Sequence, residues 1–162
     1  IHQIILLAKS MVAEPVNLLP DVKEVIASLK GRYQLMVITK GDLLDQEGKL
    51  ARSGIADLFD LIEVVSEKNA ETYHQLLEKY QIRKEEFLMV GNSLKSDVLP
   101  VLDMGAQAVH IPYHSTWVHE QVDEDTLKLY KNLIQLDSIS ELSDWLSVTG
   151  SNSFPSPADP ID

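Results

Sequence analysis

Residues 18–42 read LLPDVKEVIASLKGRYQLMVITKGD, and this stretch decides the fold. Pro20 predicts the start of a helix, because the apolar residues after it recur every three or four positions, and Gly31 predicts its end. The nearly continuous apolar run over 33–39 predicts a buried strand that stops at polar residues. A helix followed by a buried strand is typical of α/β architecture.

The same alternation continues along the chain. We predict further helices over 42–52, 69–80, 94–104 and 138–146, and further strands over 61–65, 87–90, 107–111 and 133–136. Strands and helices that alternate in this way predict a parallel sheet with helices on both faces. The fold class is therefore α/β, with a three-layer, doubly wound, mainly parallel sheet. Ligands of such sheets bind beyond the carboxyl ends of the strands.

The composition limits the classes of function. The 162 residues include 14 basic and 25 acidic side chains, and the net charge of −11 argues against nucleic acid or an anionic membrane as a partner. There is no cysteine, so disulfides and thiolate metal sites are excluded. The apolar runs are far shorter than the roughly 20 residues of a membrane-spanning helix. We expect one domain of a soluble, cytoplasmic protein, and the sequence gives no indication of its oligomeric state.

Polar residues follow the predicted strands, so a doubly wound sheet would bring them to one edge. Thr39 and Lys40 end the first strand, where a hydroxyl and the next backbone N–H groups suit a phosphoryl oxygen. Lys68 follows the second strand and offers a positive charge. The alternatives are a helix N-cap region for Thr39 and a solvated surface charge for Lys68.

The third cluster, residues 91–97 with the sequence GNSLKSD, is more specific. Gly91 permits a tight turn out of the strand, Asn92 offers an amide oxygen, and Asp97 lies one helical turn beyond Ser93. Oxygen ligands of this kind suit Mg²⁺. The same residues also fit a capped helix start, with Asn92 or Ser93 as the cap and Asp97 near the positive end of the helix dipole.

The loop over 110–120 contains three histidines and a glutamate, namely His110, His114, His119 and Glu120. Their spacing does not place them on one helical face, which argues against a transition-metal site. We expect an ordered aromatic loop beside the site instead.

The order of these clusters resembles the haloacid dehalogenase-like hydrolase superfamily. Its members have a Ser or Thr after the second strand, a later Lys and a Gly-Asp-Ser-x-x-x-Asp type cluster, and residues 15–147 are similar in this order. The resemblance implies a Mg²⁺-dependent phosphatase that acts on a small phosphorylated substrate through an aspartyl-phosphate.

The resemblance also implies roles for single residues. Thr39 would hold a phosphoryl oxygen and Lys68 would balance the charge of the nucleophile and the phosphate, so these two are the catalytic candidates. Asn92 stands where many members have a metal-binding Asp, and Asp97 would anchor Lys68 and a metal-bound water. The neutral amide of Asn92 should weaken the binding of Mg²⁺.

The first motif of the family, Asp-x-Asp-x-Thr after an apolar strand, is absent upstream of Thr39. We therefore expect this chain to lack the nucleophile and the central first strand, and to be an inactive fragment of an active phosphatase. The alternative is a catalytically inactive module that binds phosphate or metal. A receiver-like or nucleotide-binding domain would need an early acidic pair or a glycine-rich phosphate loop, and the sequence has neither.

The sequence divides into three segments. Residues 1–14 predict an amphipathic helix that looks like the end of a cap domain. Residues 15–147 predict the α/β core. Residues 148–162 are rich in Ser, Pro and Asp and predict an extended C-terminal tail.

Overall fold

The computed structural model of the protein describes residues 17–113 and 122–149. These residues fall into two compact units that divide after Lys68. None of the described helices is both long enough and apolar enough to cross a membrane. The predicted cap helix over 1–14 and residues 150–162 of the predicted tail lie outside the described residues.

The first unit contains a helix followed by a strand, a helix and a second strand. Its elements are α1 (Val22–Leu29), β1 (Met36–Lys40), α2 (Leu43–Ser53) and β2 (Leu61–Val65). A 3₁₀ turn at Ala56–Leu58 leads into β2. The strands are parallel, with Met36 opposite Leu61 and Lys40 opposite Val65. The predicted unit of strand, helix and strand is confirmed.

Strand β1 begins at Met36, three residues later than predicted, because the preceding residues close helix α1. The N–H groups of Arg32 and Tyr33 both donate to the Leu29 carbonyl at 3.1 Å. Gly31 adopts a φ of +80°, the conformation that a glycine after a helix end commonly provides. The chain therefore becomes extended only after this turn is complete.

The second unit is a parallel sheet of three strands with its helices. Its elements are α3 (Ala70–Lys79), β3 (Leu88–Gly91), α4 (Leu99–Asp103), β4 (Gln107–His110), α5 (Glu124–Leu127), β5 (Leu133–Gln135) and α6 (Ser140–Thr149). The strand order is β3-β4-β5, with β4 in the middle. Val98, Val101 and Val109 are fully buried, so the core of this unit lies around β4 and the chain that leads into α4.

All three strand pairs are parallel, and helices alternate with strands, which confirms the α/β fold class. The described strands form a two-stranded and a three-stranded sheet, where the sequence predicts a single sheet. The absence of a central first strand stays a prediction.

The predicted helix over 94–104 is wrong in its first half. Leu94–Val98 forms a π-helical turn, and the chain is α-helical only from Leu99 onward. Pro100 then lies in the first turn of α4, which itself contains no earlier carbonyl to accept from an N–H at this position.

The last helix runs beyond its predicted end. Helix α6 extends to Thr149, whereas the sequence predicts a tail from residue 148 onward. The Ser147 hydroxyl donates to the Ser143 carbonyl at 2.8 Å, and the Thr149 hydroxyl donates to the Trp145 carbonyl. These bonds pair both hydroxyls with carbonyls of the helix itself. The one-turn helix α5, also in a polar stretch, is not predicted by the sequence.

Candidate functional site

Thr39 lies near the carboxyl end of β1 and is bonded to helix α2. Its hydroxyl donates to Gln46 Oε1 at 2.8 Å. Gly41 has a φ of +146°, and a Cβ at this position would lie 2.9 Å from Gln46 Nε2. The Gln46 side chain therefore lies against the turn between β1 and α2, where Gly41 has a φ that residues with a side chain rarely adopt.

Asp42, and not Thr39, is the residue that caps helix α2. Its Oδ1 accepts a hydrogen bond from the Asp45 N–H at 3.1 Å. The Asp45 carboxylate accepts in turn from Gln46 Nε2 at 3.2 Å and from Lys49 Nζ at 2.7 Å. A chain of hydrogen bonds thus runs from Thr39 through Gln46 to Asp45. These bonds orient the Thr39 hydroxyl, which is the predicted phosphate ligand.

The two candidate lysines lie at the same edge of the two-stranded sheet as Thr39. Lys40 ends β1, and its Nζ lies 2.8 Å from Glu67 Oε2. Both side chains of this pair are more than half exposed, so the pair contributes little to stability. Lys68 follows the end of β2 and directly precedes Asn69, the N-cap of α3. The carboxyl ends of parallel strands meet at one edge, and this edge holds the three residues.

In the second unit, the carboxylate of Asp97 is folded back over the end of β3. Asp97 is 5% exposed, and its Oδ2 accepts from the Ser93 N–H at 3.2 Å. A Cβ on Gly91 would lie 2.5 Å from Asp97 Cβ and 2.6 Å from its Oδ2. Only glycine permits an approach this close, so Gly91 and Asp97 are brought together by direct contact.

Ser93 caps the π-helical turn. Its Oγ accepts from the Ser96 N–H at 3.1 Å and from the Ser96 hydroxyl at 2.7 Å. This confirms the interpretation of residues 91–97 as a capped helix start, with Ser93 as the cap. Asn92 is exposed in the loop between β3 and Ser93, and its role as a ligand stays a prediction.

His110 holds the backbone of Asn92. It is the last residue of β4, it pairs with Gly91 across the ladder, and it is 7% exposed. Its Nε2 lies 3.2 Å from the Asn92 carbonyl oxygen, and because a carbonyl only accepts, Nε2 carries the donated hydrogen. The remaining members of the histidine-rich loop, His114, His119 and Glu120, lie outside the described residues.

The sequence does not reveal the contacts of Gln46 and His110, nor that of Tyr73 in α3, whose hydroxyl donates to the Ser96 carbonyl at 2.6 Å. Gln46 has one available signal, since it lies on the first turn of the helix that follows a strand end. His110 is considered only as a metal ligand, although a polar residue at the end of a buried strand needs a hydrogen-bond partner. Tyr73 lies at helical spacing from apolar residues, and this pattern predicts only that its side chain packs in the core.

The oxygen donors that follow β3 suit Mg²⁺ in kind but not in number. The amide of Asn92 and the buried carboxylate of Asp97 offer the oxygen atoms that this ion prefers. Within residues 17–113 and 122–149, no group of three His, Cys, Asp or Glu side chains is placed to hold a metal ion. The described residues therefore do not form a complete Mg²⁺ site by themselves, and the assignment of Asn92 and Asp97 to this ion stays a prediction.

Comparison with known proteins identifies the class of protein to which this chain belongs, that of hydrolases. Residues 3–105 match the haloacid dehalogenase-like hydrolase family, and this match covers more than half of the chain. The chain belongs to that family, which confirms the resemblance.

The relatives are longer than this chain. The glyceraldehyde 3-phosphate phosphatase of Methanothermobacter thermautotrophicus is 29% identical over 134 residues, which cover 78% of this chain and 58% of that protein. A haloacid dehalogenase-like family hydrolase from Xanthomonas campestris is 34% identical, with a TM-score of 0.77, and the match covers 93% of this chain and 62% of that one. YfnB from Bacillus subtilis, in a structure bound to magnesium, shares the fold at 20% identity and a TM-score of 0.67, and the match covers 80% of this chain and 56% of that one. The chain spans less than two thirds of each relative.

Gly91→Ala should destabilise the second unit, because the new Cβ would collide with Asp97. We expect a loss of about 1–3 kcal/mol in the free energy of unfolding, the usual cost of overpacking, measured by urea unfolding. Gly48→Ala is the matched control: it lies inside α2, where the added Cβ meets only the mobile end of Arg52 at 3.1 Å, and helix propensity should rise. Equal losses from the two variants would contradict the close approach at Gly91.

Proposed function

We propose that the whole protein is a Mg²⁺-dependent phosphatase that hydrolyses a small phosphate ester through an aspartyl-phosphate. Membership of the haloacid dehalogenase-like family supports hydrolysis, and the similarity to a glyceraldehyde 3-phosphate phosphatase supports a phosphorylated substrate. The proposal concerns the whole protein, because this chain spans only 58% of that phosphatase.

The observation that carries the proposal is the buried carboxylate of Asp97 after strand β3. Its Oδ2 accepts from the Ser93 N–H, and carboxylate oxygens are ligands that Mg²⁺ prefers. Asp97 lies beyond the carboxyl end of a parallel strand, where α/β proteins bind their ligands. We therefore assign Asp97, together with the exposed Asn92, to the binding of Mg²⁺. Mg²⁺, when bound, would stabilise the negative charge of the transferred phosphoryl group.

The proposed reaction consists of two displacements at phosphorus. A carboxylate oxygen of the nucleophilic aspartate bonds to phosphorus while the ester P–O bond breaks, and a second acid protonates the leaving oxygen. Water then adds to phosphorus, the bond to the aspartate breaks, and inorganic phosphate leaves. Residues 1–38 contain no Asp-x-Asp pair, so we propose that the 162-residue chain alone does not catalyse these steps.

The residues of the first unit would contact the phosphate. The Thr39 hydroxyl, which donates to Gln46 Oε1, would donate to a phosphoryl oxygen instead. The exposed ion pair of Lys40 with Glu67 costs little to open, so the Lys40 ammonium is available to an anionic ligand. Lys68 would balance the charge of the nucleophile and the phosphate.

Asp97→Asn should lower Mg²⁺-dependent phosphate release by the whole protein about tenfold to hundredfold, because it removes a charge from the metal site. Inorganic phosphate released from small phosphate esters, glyceraldehyde 3-phosphate among them, is measured with Mg²⁺ and with EDTA. Asp103→Asn is the matched control, since the Asp103 carboxylate accepts from the exposed Tyr130 hydroxyl, and it should keep the wild-type rate.

Equal phosphate release with Mg²⁺ and with EDTA would overturn the proposal, as would a wild-type rate in Asp97→Asn. The 162-residue chain provides a second control, because its turnover of an aryl phosphate should stay at background. Turnover above background that Asp97→Ala abolishes would show that the chain itself is an active enzyme.

Thr39→Val removes the hydroxyl at nearly constant shape and should lower kcat/KM of the whole protein about tenfold or more, because a hydrogen bond to a charged phosphoryl oxygen is lost. Thr39→Ser keeps the hydroxyl and should retain most of the activity. Steady-state kinetics with one phosphate ester compare the two variants. The same kcat/KM in both would mean that the hydroxyl does not bind phosphate.

A further inference from the structure

The turn that carries Asp97 is a π helix. The turn comprises Leu94–Val98, and Ser93 is its N-cap. The N–H of Val98 donates to the Ser93 carbonyl, five residues earlier, at 3.1 Å. Turns of this kind are rare and often occur at functional sites. Local geometry that the chain rarely adopts persists only where the surrounding structure determines it. The residues that contact this turn therefore help to determine where Asp97 lies.

Helix α3 supplies the turn with a hydrogen bond in place of one that Pro100 cannot donate. In a continuous α-helix, the Ser96 carbonyl would accept from the N–H of residue 100, but Pro100 has no N–H. The Tyr73 hydroxyl donates to the Ser96 carbonyl instead, at 2.6 Å. Tyr73 is only 1% exposed, so this bond lies within the core of the unit.

The environment of Tyr73 keeps its hydroxyl in the donating form. Burial raises the pKa of Tyr73, and the negative charge of Asp97 raises it further. The hydroxyl of an ordinary tyrosine is already protonated at neutral pH, and this upward shift favours the same form. The hydroxyl is therefore able to donate to the Ser96 carbonyl.

The peptide that joins Ser96 to Asp97 is thus held at both of its polar groups. Its carbonyl accepts from Tyr73, and its N–H, which belongs to Asp97, donates to the Ser93 carbonyl at 3.0 Å. We infer that Tyr73 is a positioning residue for Asp97, because this peptide sets the direction in which the Asp97 side chain leaves the turn and meets Gly91. The consequence for metal binding rests on the proposed function.

Tyr73→Phe removes only the hydroxyl. Tyr130→Phe is the matched control, because the Tyr130 hydroxyl also donates at 2.6 Å, to Asp103, in the same unit but outside the turn. Amide hydrogen exchange is measured by NMR on the whole protein. In Tyr73→Phe, exchange of the amides of residues 96–98 should rise roughly five- to tenfold relative to those of β4, and in the control it should not. A rise that is equal throughout the unit, or none at all, would overturn the inference.

Activity provides a readout that lost stability alone would not move. In Tyr73→Phe, the Mg²⁺ concentration for half-maximal phosphate release should rise about tenfold while KM for the ester stays unchanged, as expected for a residue that supports a metal ligand. The control should show neither change. An unchanged Mg²⁺ requirement in Tyr73→Phe would refute its link to metal binding. A wild-type protein without phosphatase activity would refute the proposed function, and hydrogen exchange would still decide the role of Tyr73.

Discussion

The second unit depends on one close approach, that of the Asp97 carboxylate to the backbone of Gly91. The carboxylate occupies the space that a Cβ on residue 91 would need, and it accepts a hydrogen bond from the Ser93 N–H. A polar group buried in this way requires such bonds, because it has lost its contact with water. Strand β3 must therefore end in glycine, and the chain must turn back sharply after it.

A similar arrangement of a glycine beside a polar side chain occurs in the first unit. Gly41 follows β1 and leaves room for the amide of Gln46, as Gly91 ends β3 and leaves room for Asp97. In both places a polar side chain from the helical segment after the strand packs against the backbone of the strand end. Each neutral hydrogen bond in these turns contributes only about 1 kcal/mol, so their geometry follows from several bonds acting together. Hydrogen bonds and close packing, and not a large apolar contact, therefore set the positions of these polar side chains at the strand ends.

The sequence predicts the elements that depend on local pattern. The apolar runs that end at Thr39 and Gly91 are strands, and the alternation of strands with helices predicts parallel pairing, because these features require only neighbouring residues. The π-helical turn is not predicted, and the Tyr73 hydroxyl that donates to it comes from 23 residues before Ser96. The sequence identifies the residue types at the candidate site. It does not identify their hydrogen-bond partners, because those depend on tertiary contacts. Pro100 is a local signal within the predicted helix over 94–104, because a proline has no N–H to donate to the preceding turn.

Amide hydrogen exchange at Ser93 tests the central contact most directly, because the Ser93 N–H donates to the Asp97 side chain. Exchange is compared between the wild-type protein and Asp97→Ala, with the amides of β4 as the internal reference. If the carboxylate is folded over the end of β3, the Ser93 amide is protected in the wild type and exchanges about tenfold or more faster in the variant. Equal exchange at Ser93 in both proteins would contradict the contact between the Asp97 carboxylate and the Ser93 N–H.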